Sequence, residues 1–578
     1  MSLEQTVMDE RRVVVLGANG SEKTSVISTL FGQKEYKCVR RTRNCVKTEG
    51  VVDGRRLICV DTPGWWRSYP LIDTAEFIKR KIALSVTECA PGPHAFMLVI
   101  STDGPFTEKY RRAIEEHLGL FGESVWKHTI VVFTIEGALG DGGIEQFTES
   151  GREALTWLLE KCGNVCHNFY SHCVGGLHDT TQLLGKIDDI VAKNRDRYFE
   201  FDERASQGVE KKRKTDLERG MSRQQRVHSE REIVNEHGVV HSLPELRVVL
   251  FGWLFSGKTF ARNTILGLKE DIERRRTERS ERKSGLVAGR QISVVDTPGW
   301  YKYFPSQYMP ERVKTEIRRG LTLDSKNSHV ILLAVPVDTT FHERQRMITE
   351  DNMKMFGEQI WKHTMVLFTC GDLLGETTIE EHIECEGEPL RWLVEKCGNR
   401  YHVLSWSDEE DQVVELLKKI EEMVAGNSLF CPERELEKNV SQETVEKPEA
   451  IQKQTAQYLD LEWERMDEAM KEKIKKIWNQ TRHTKLQKKG SISIDVNFHD
   501  SKPSSENTSN NSGKDTSPLN LPKCFTKDHS PSNSTTAYQD QEQTTEIHPG
   551  QMERIREIFE RECGRLEVGV TERFQPLL

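Results

Sequence analysis

The stretch Val248-Val-Leu-Phe-Gly252-Trp-Leu-Phe-Ser-Gly257-Lys258-Thr259 decides the fold of this chain. A mostly β-branched run leads into a glycine loop of the pattern G-x-x-x-x-G-K-[ST], and a segment with helical character follows. In such a loop the backbone N–H groups point at phosphate oxygens, the lysine bridges the terminal phosphates and the threonine hydroxyl binds magnesium. The dipole of the following helix adds to this anion site. The residues expected to contact a nucleotide are Gly252, Phe255, Ser256, Gly257, Lys258 and Thr259.

The same motifs occur twice in the chain at one constant spacing. The offset from the loop glycine Gly17 to Gly252 equals the offset from Asp61 to Asp296, where the two Asp-Thr-Pro-Gly motifs begin. The Trp-Lys-His-Thr and Glu-Lys-Cys-Gly-Asn motifs keep this spacing. The offset is far longer than a solenoid repeat of about 20–50 residues, so the pattern indicates a tandem duplication of a whole domain.

Short continuous apolar runs in each copy predict strands that are buried on both faces. Longer amphipathic stretches separate these runs, which favours a three-layer α/β fold with a mainly parallel sheet. A ligand is then expected beyond the carboxyl ends of the strands. The predicted strands are Val13–Leu16, Leu57–Val60, Phe96–Ile100 and Thr129–Phe133 in the first copy, and Val248–Phe251, Ile292–Val295, Val330–Val335 and Met365–Phe368 in the second.

The segments outside the two copies differ from them in composition. The connector carries the basic run Lys211–Lys214, which predicts a solvated helix face, with a nuclear-localisation signal as the alternative. After the second copy, apolar residues from Leu459 to Ile477 recur at helical spacing, so this helix either pairs with another helix or folds back on a domain. The predicted divisions are 9–205 (degenerate first domain), 206–243 (charged linker), 244–430 (intact P-loop domain), 431–490 (amphipathic helix or coiled coil), 491–550 (disordered, low complexity) and 551–578 (short C-terminal helix).

Composition narrows the class of protein. The 578 residues carry a net charge of −9, which argues against a general nucleic-acid binder. No apolar run approaches the roughly 20 residues of a membrane span, so only peripheral membrane contact stays open. The 13 cysteines, without a signal peptide, predict reduced thiols and a cytoplasmic location.

One cluster of thiols and imidazoles has the residue types of a zinc site. It consists of Cys162, Cys166, His167, His172 and Cys173. The second copy has Tyr401 in place of Cys166, and ligand type alone is weak support for a metal. A shared structural segment with incidental thiols is the simpler interpretation.

The first copy has lost part of the phosphate-binding chemistry. Its loop has Glu22 where the second has Gly257, which adds bulk and negative charge at a dihedral that glycine tolerates best. We expect an affinity loss of several factors of ten, each worth about 1.4 kcal/mol. The degenerate site comprises Gly17, Gly20, Ser21, Glu22, Lys23, Thr24, Asp61, Gly64 and Gly137.

Two further motifs complete the site of the second copy. Asp296-Thr-Pro-Gly299 follows a predicted strand; in P-loop proteins the acid there holds magnesium and the glycine N–H meets the γ-phosphate. Phe368-Thr369-Cys-Gly-Asp372 ends another strand and offers a carboxylate that suits the two donors of guanine. The usual Asn-Lys-x-Asp is incomplete here, so an ATP-binding P-loop protein and a helix-capping Asp372 stay open. Gly137 stands at the matching position of the first copy.

The order of these motifs resembles that of the immunity-associated GTPases, the GIMAP family, over roughly residues 10–200 and 245–430. The stretch Phe121-Gly-Glu, again at Phe356-Gly-Glu, resembles that family's characteristic box. The resemblance implies two tandem Ras-like P-loop G domains with an added helical element. It also implies GTP or GDP bound with magnesium, held by Thr259 and Asp296, and nucleotide-dependent dimerisation through the G domains.

The resemblance assigns further roles. Thr277, like Thr42 in the first copy, resembles the switch threonine that senses the γ-phosphate. Ser405 and Trp406 stand where the family often has asparagine, and Trp406 either stacks on the base or packs.

Two departures from the family pattern bear on hydrolysis. Trp65 and Trp300 stand where Ras-like enzymes have a water-positioning glutamine. Pro105 and Thr340 occupy the segment in which some family members present an arginine across the dimer. The sequence therefore predicts slow or partner-dependent hydrolysis in the second copy, and the losses at Glu22 and Gly137 predict a pseudo-GTPase in the first. One interpretation makes the first domain a built-in dimer partner; the other is a non-catalytic scaffold that binds protein partners through its C-terminal helices.

Overall fold

In a computed structural model of the chain, the described residues are 9–33, 41–102, 106–135, 151–170, 176–237, 243–268, 277–300, 302, 306, 309–323, 330–405 and 410–425. The predictions for residues 431–578 lie outside these ranges, as do those for Pro105, Gly137, His172, Cys173 and Trp406.

The first domain is a six-stranded sheet with helices on both faces. Its strands are β1 Glu10–Leu16, β2 Val46–Val52, β3 Arg55–Asp61, β4 Ala95–Ser101, β5 Thr129–Ile135 and β6 Cys166–Tyr170. Its helices are α1 Lys23–Leu30, α2 Glu76–Leu84, α3 Glu108–Leu118, α4 Arg152–Lys161 and α5 Gly176–Lys193. The strand order is β2-β3-β1-β4-β5-β6, and only β2 runs antiparallel to its neighbour.

A long helix, α6 Glu203–His237, leads into the second domain. The strands there are β7 Glu245–Phe251, β8 Glu281–Val287, β9 Arg290–Asp296, β10 Val330–Pro336, β11 Thr364–Thr369 and β12 Tyr401–Val403. The helices are α7 Lys258–Leu266, α8 Glu311–Thr322, α9 Glu343–Lys354, α10 Ile379–Glu386, α11 Glu388–Lys396 and α12 Glu410–Ala425. The order β12-β11-β10-β7-β9-β8 repeats that of the first sheet, with β8 as the antiparallel strand.

The predicted fold class is confirmed, and each predicted strand lies within a strand of the structure. Every strand of the second sheet begins at the same offset from its counterpart in the first, and this offset is the one between the loop glycines. The four outer strands were not predicted. Of these, β2 and β8 contain no fully buried residue because each lies at the edge of its sheet. They therefore lack the continuous apolar run of a central strand.

None of the described helices is long and apolar enough to cross a lipid bilayer.

Apolar side chains fill both faces of each sheet. On one face, α1 and α5 cover the first sheet, and α7 and α12 cover the second. On the other face, the apolar cluster of the first domain is continuous with that of the second. The two domains therefore share part of their hydrophobic core, and burial of apolar surface stabilises their contact at roughly 25 cal/mol per Å².

Helix α6 is more than a solvated connector. Lys211, Lys212 and Lys214 are exposed, as the charge run predicts. Asp216 and Arg223, however, are 4% and 3% exposed, so water does not solvate them. Asp216 accepts a hydrogen bond from Arg80 of α2, which also pairs with Glu381 of α10. The helix thus joins the first domain to the second through buried charges.

The contact between the domains also contains backbone and side-chain hydrogen bonds. Thr340 donates its N–H to the carbonyl of Asp73 (3.0 Å) and its hydroxyl to the carbonyl of Thr74 (2.7 Å). Asp338 accepts from Arg41 (2.7 Å) and from the indole of Trp66 (3.0 Å). The loop that follows β10 in the second domain therefore lies against the first domain.

We predict that Arg223→Ala destabilises the chain by about 1.5–3 kcal/mol, because the buried Glu384 carboxylate loses its shorter charged hydrogen bond and keeps only the 3.4 Å pair with Arg391. The Arg223 guanidinium donates to Glu384 (2.7 Å) and Glu395 (3.2 Å). The matched control is Arg213→Ala, on the same helix, whose pair with Glu210 is exposed and is expected to contribute less than about 1 kcal/mol. Urea unfolding followed by circular dichroism measures both, and equal losses would contradict the assignment.

Candidate nucleotide-binding sites

The second glycine of the intact loop is required by its backbone geometry. Gly257 lies at the start of α7 with φ 88°, in the left-handed region that favours glycine. A Cβ there would come within 3.0 Å of three atoms of the Thr369 side chain. The Thr369 hydroxyl in turn donates to the carbonyl of Ser256 (2.8 Å), which ties the loop to the end of β11.

The first loop has the same backbone geometry, although glutamate stands in place of glycine. Glu22 has φ 66° at the start of α1, so the glutamate does adopt a dihedral that glycine prefers. A left-handed conformation costs a residue with a Cβ roughly 1–2 kcal/mol. Unexpectedly, the second loop carries a comparable cost two residues earlier, where Phe255 has φ 62° and the first loop has Gly20 with φ 75°. Each loop therefore has one non-glycine residue at these two left-handed positions.

The loop lysines of the two domains are positioned alike. Lys258 donates to the carbonyls of Gly252 (3.1 Å) and Trp253 (2.8 Å). Lys23 makes the same pair of contacts with Gly17 and Ala18, both at 3.0 Å. Both side chains are buried over their loops, so the loss of glycine in the first loop has not displaced its lysine.

Two hydroxyls converge on one carboxylate at each predicted magnesium position. Asp296 accepts from Thr259 (2.7 Å) and from Thr277 (3.3 Å). Burial raises the pKa of Asp296, although Lys258 and these hydroxyls oppose the shift. Its second oxygen, Oδ1, is buried and has no hydrogen-bond partner among the described residues. Hard oxygen donors with an unsatisfied carboxylate oxygen fit Mg²⁺.

The first domain repeats this arrangement with Thr24, Thr42 and Asp61. Asp61 accepts from Thr24 (2.6 Å) and from Thr42 (3.0 Å), and burial raises its pKa as well. The structure thus brings Thr42 and Thr277 to equivalent positions.

Gly299 allows a close approach between the Asp-Thr-Pro-Gly motif and the loop. A Cβ at this position would lie 2.6 Å from the N–H nitrogen of Leu254 and 2.7 Å from the Lys258 Nζ. Gly64 is placed in the same way against Asn19 and Lys23. The next residue, Trp300, is 1% exposed, and its carbonyl accepts from the Leu254 N–H (2.8 Å). This residue packs against the loop, and its side chain lacks the carboxamide of a water-positioning glutamine.

The predicted base-reading residues are adjacent in the structure. Gly371 donates its N–H to the Leu404 carbonyl (2.9 Å), and a Cβ at Gly371 would lie 2.9 Å from the Ser405 hydroxyl. Asp372 follows directly, with its Oδ1 buried and without a hydrogen-bond partner among the described residues. Thr369, Asp372 and Ser405 therefore border one region, while Trp406 lies outside the described residues.

Sequence reasoning missed a contact from the first domain to this region. The Arg43 guanidinium lies 3.7 Å from the Asp372 carboxylate. Arg43 belongs to a basic segment next to Thr42, but no local pattern identifies a partner in the other domain. The base-reading carboxylate of one domain is thus paired with a cation from its neighbour.

The second domain also reaches the degenerate site of the first. The cavity over the first loop is lined by Asn19, Thr42 and Gly64 and, from the second domain, by Asp338 and Leu373. Its volume of about 10 Å³ accommodates at most one water molecule. Arg41 and Arg43 also line this cavity, and the Arg41 guanidinium pairs with the Asp338 carboxylate (2.7 Å).

The thiol and imidazole cluster of the first domain shows no metal-like grouping among the described residues. Cys162 and Cys166 are buried in the apolar core, which fits the structural interpretation. Burial raises the pKa of Cys162 to about 12 and lowers that of His167 to about 4.

Comparison with known proteins places both repeats in one family. The sequence profile of the AIG1 family matches residues 11–219 and 246–454. The chain is 25% identical over 458 residues to human GTPase IMAP family member 8, covering 76% of this chain and 66% of that protein. It is 28% identical over 234 residues to Immune-associated nucleotide-binding protein 5 of Arabidopsis thaliana, covering 38% of this chain and 76% of that protein. These matches confirm the predicted resemblance to the immunity-associated GTPases.

Among solved structures, Toc33 from Arabidopsis thaliana in complex with GDP and Mg²⁺ is similar, with 14% identity and a TM-score of 0.27. The match covers 36% of this chain and 94% of that chain. The chain spans 66%, 60% and 62% of the length of the human, mouse and rat member 8 proteins.

We predict that Glu22→Gly stabilises the first domain by about 1 kcal/mol, because glycine removes the cost of the left-handed conformation. Glu22→Ala is the matched control, since it removes the charge but keeps a Cβ at φ 66°. Urea unfolding of the full chain measures both variants. An equal gain from alanine would mean that the charge, and not the backbone, is the cause.

Proposed function

Because this chain belongs to the AIG1 family over both of its repeats, we propose that it is a guanine-nucleotide-binding protein. In this proposal the second domain holds GTP or GDP with Mg²⁺, and the first is a pseudo-GTPase that serves as a built-in partner. The observation that carries the proposal is the difference at one shared position. Gly257 leaves the loop backbone accessible to a phosphate, whereas Glu22 places a carboxylate at the same left-handed turn.

The residues of the second domain have separate tasks in this proposal. The Lys258 ammonium turns from the loop carbonyls to the terminal phosphates, and the N–H groups at the start of α7 bind phosphate oxygens. Thr259 and Asp296 hold the metal, and Thr277 senses the γ-phosphate. Bound Mg²⁺ would neutralise the charge of the β- and γ-phosphates. Gly299 lets its own N–H approach the γ-phosphate, because a side chain there would clash with Lys258.

Base selection rests on Asp372, with Thr369 and Ser405 beside it. A carboxylate accepts from both the ring N–H and the exocyclic amine of guanine, while adenine lacks this donor pair. The pairing with Arg43 adds competition, since guanine must displace the guanidinium from Asp372. Nucleotide binding is therefore coupled to the contact between the domains, as linkage requires when two groups compete for one site.

The covalent connection between the domains makes their contact effectively intramolecular. A tethered partner has a high local concentration and binds without dependence on dilution. The shared apolar cluster and the Thr340 hydrogen bonds to the first domain support a stable pairing. The first domain thus takes the place that a second protein chain would take in a dimer of G domains.

Hydrolysis in the second domain is slow or depends on a further partner. Trp300 is buried against the loop, and Thr340 bonds to the first-domain backbone. Neither side chain carries the amide or guanidinium that stabilises phosphoryl transfer in fast GTPases. The proposal also includes a cytoplasmic location, protein partners that bind the predicted C-terminal helices, and peripheral membrane contact.

A non-catalytic scaffold that uses GTP structurally is the second candidate, favoured by Trp300 and Thr340. Phosphate release well above the uncatalysed rate, abolished by Lys258→Ala, would reject it. An ATP-binding protein is the third, because the base motif is Thr-Cys-Gly-Asp. Competition of ATP and GDP against labelled GTP separates it from the first.

We predict that the full chain binds one guanine nucleotide and that Lys258→Ala reduces affinity by at least about 100-fold, since the loop lysine contacts the terminal phosphates. Lys23→Ala is the matched control, because Lys23 makes the same loop contacts in the first domain. Isothermal titration with GTP and Mg²⁺ measures both. Two bound nucleotides, or a loss caused by Lys23→Ala, would reject the assignment of the two domains.

We predict that Arg43→Ala increases the affinity for GDP by up to about fivefold, because a partly exposed ion pair contributes about 0.2–1 kcal/mol and its removal frees Asp372. Lys47→Ala removes one exposed positive charge from the following strand and should change nothing. The ratio of GDP to ADP affinity should rise with Arg43→Ala alone. Weaker GDP binding by this variant would show that Arg43 assists the nucleotide instead.

A further inference from the structure

Three side chains with metal-binding atoms form a buried group at the end of α10. They are His382, Cys385 and Glu386, whose ligand atoms all lie within 4.8 Å of one another. His382 is 1% exposed, and the His382 Nδ1 lies 3.9 Å from the Glu386 Oε1. The spacing of three and four residues puts all three on one helical face.

Two atoms of this group lack hydrogen-bond partners. The His382 Nδ1 and the Glu386 Oε2 are buried and make no hydrogen bond of good geometry among the described residues, although the Thr340 side chain lies near the Glu386 carboxylate. The other oxygen of Glu386 accepts from the Glu76 N–H (2.6 Å), and the Cys385 thiol donates to the His382 carbonyl (3.3 Å). Burying polar atoms without partners costs about 1–3 kcal/mol each, so the group points to a missing ligand.

We propose that His382, Cys385 and Glu386 form a Zn²⁺ site. Imidazole, thiolate and carboxylate are the three side-chain types that bind zinc, at about 2.0–2.3 Å, and Mg²⁺ and Ca²⁺ do not favour sulfur. Binding releases the thiol proton and any proton on the carboxyl group, so a thiolate and a carboxylate balance the two charges of the ion. Three protein ligands leave the fourth position to water.

The site lies where the second domain meets α2 of the first. The Phe77 ring is 5.3 Å from the His382 ring, in an edge-to-face arrangement, and the Glu76 N–H binds Glu386. All three ligands lie on α10, so an ion here would fix the end of that helix and orient the Glu386 carboxylate, which accepts from the Glu76 N–H of the first domain. Its role is to stabilise the domain contact.

The first copy has no counterpart of this group. The residues that occupy the matching positions of the first copy are Phe147, Ser150 and Gly151. Gly151 cannot carry a longer side chain, because a Cβ there would meet the Phe106 carbonyl at 1.7 Å. The three ligand types are therefore specific to the second domain and to the face that it turns toward the first.

The test is the zinc content of the full-length chain, free of any affinity tag. The chain is stripped with a chelator, incubated with Zn²⁺ and separated by gel filtration, and the metal is measured by mass spectrometry. We expect the unmodified chain to retain one more zinc per chain than Cys385→Ser or Glu386→Gln. Cys397→Ser is the control, since Cys397 is equally buried and lies outside this group. Equal zinc in all four proteins would overturn the proposal.

A second measurement keeps the test independent of folding defects. Co²⁺ added to the stripped chain should give a thiolate-to-metal absorption band that Cys385→Ser lacks and Cys397→Ser keeps. Zn²⁺ should raise the unfolding temperature of the unmodified chain and of Cys397→Ser, because a ligand that binds only the folded state stabilises it. No band, or the same thermal shift in Cys385→Ser, would overturn the site even if this variant folds normally.

Discussion

The structure depends on a left-handed turn between the first strand of each domain and the helix that follows. This turn, at Glu22 and Gly257, reverses the chain so that the first helix begins with its N–H groups over the end of the sheet. The lysine, the threonine and the carboxylate of each site take their positions from it. Because the left-handed geometry persists with glutamate in place of glycine, the two domains share this turn despite the substitution.

The contact between the domains involves both predicted sites. Asp338 and Leu373 of the second domain line the cavity over the first loop. In the other direction, Arg43 lies 3.7 Å from the Asp372 carboxylate of the second domain. Each domain therefore contributes side chains to the region around the other domain's predicted site.

The central strands could be predicted from the sequence because they depend on local patterns, and the motif spacing predicted which residues lie together around each loop. Continuous apolar runs identify β1, β3, β4 and β5 and their repeats, and the constant spacing aligns the loops. The edge strand β2 has only partly buried and exposed residues, so nothing in it marks a strand. The roles of Arg43 and Asp338 depend on contacts between the two domains, and the strain at Phe255 depends on a backbone angle. Contacts between domains and single backbone angles cannot be identified from a local sequence pattern.

The two buried charges on helix α6 restrict where residues can be inserted between the two domains. Asp216 and Arg223 lie about two helical turns apart, so both point to the same side, one toward Arg80 and the other toward Glu384. A single residue inserted between them would rotate one anchor by roughly 100° relative to the other. A flexible linker tolerates such insertions at little cost. Both buried ion pairs can therefore form only when the number of residues between Asp216 and Arg223 keeps these side chains on the same side of α6.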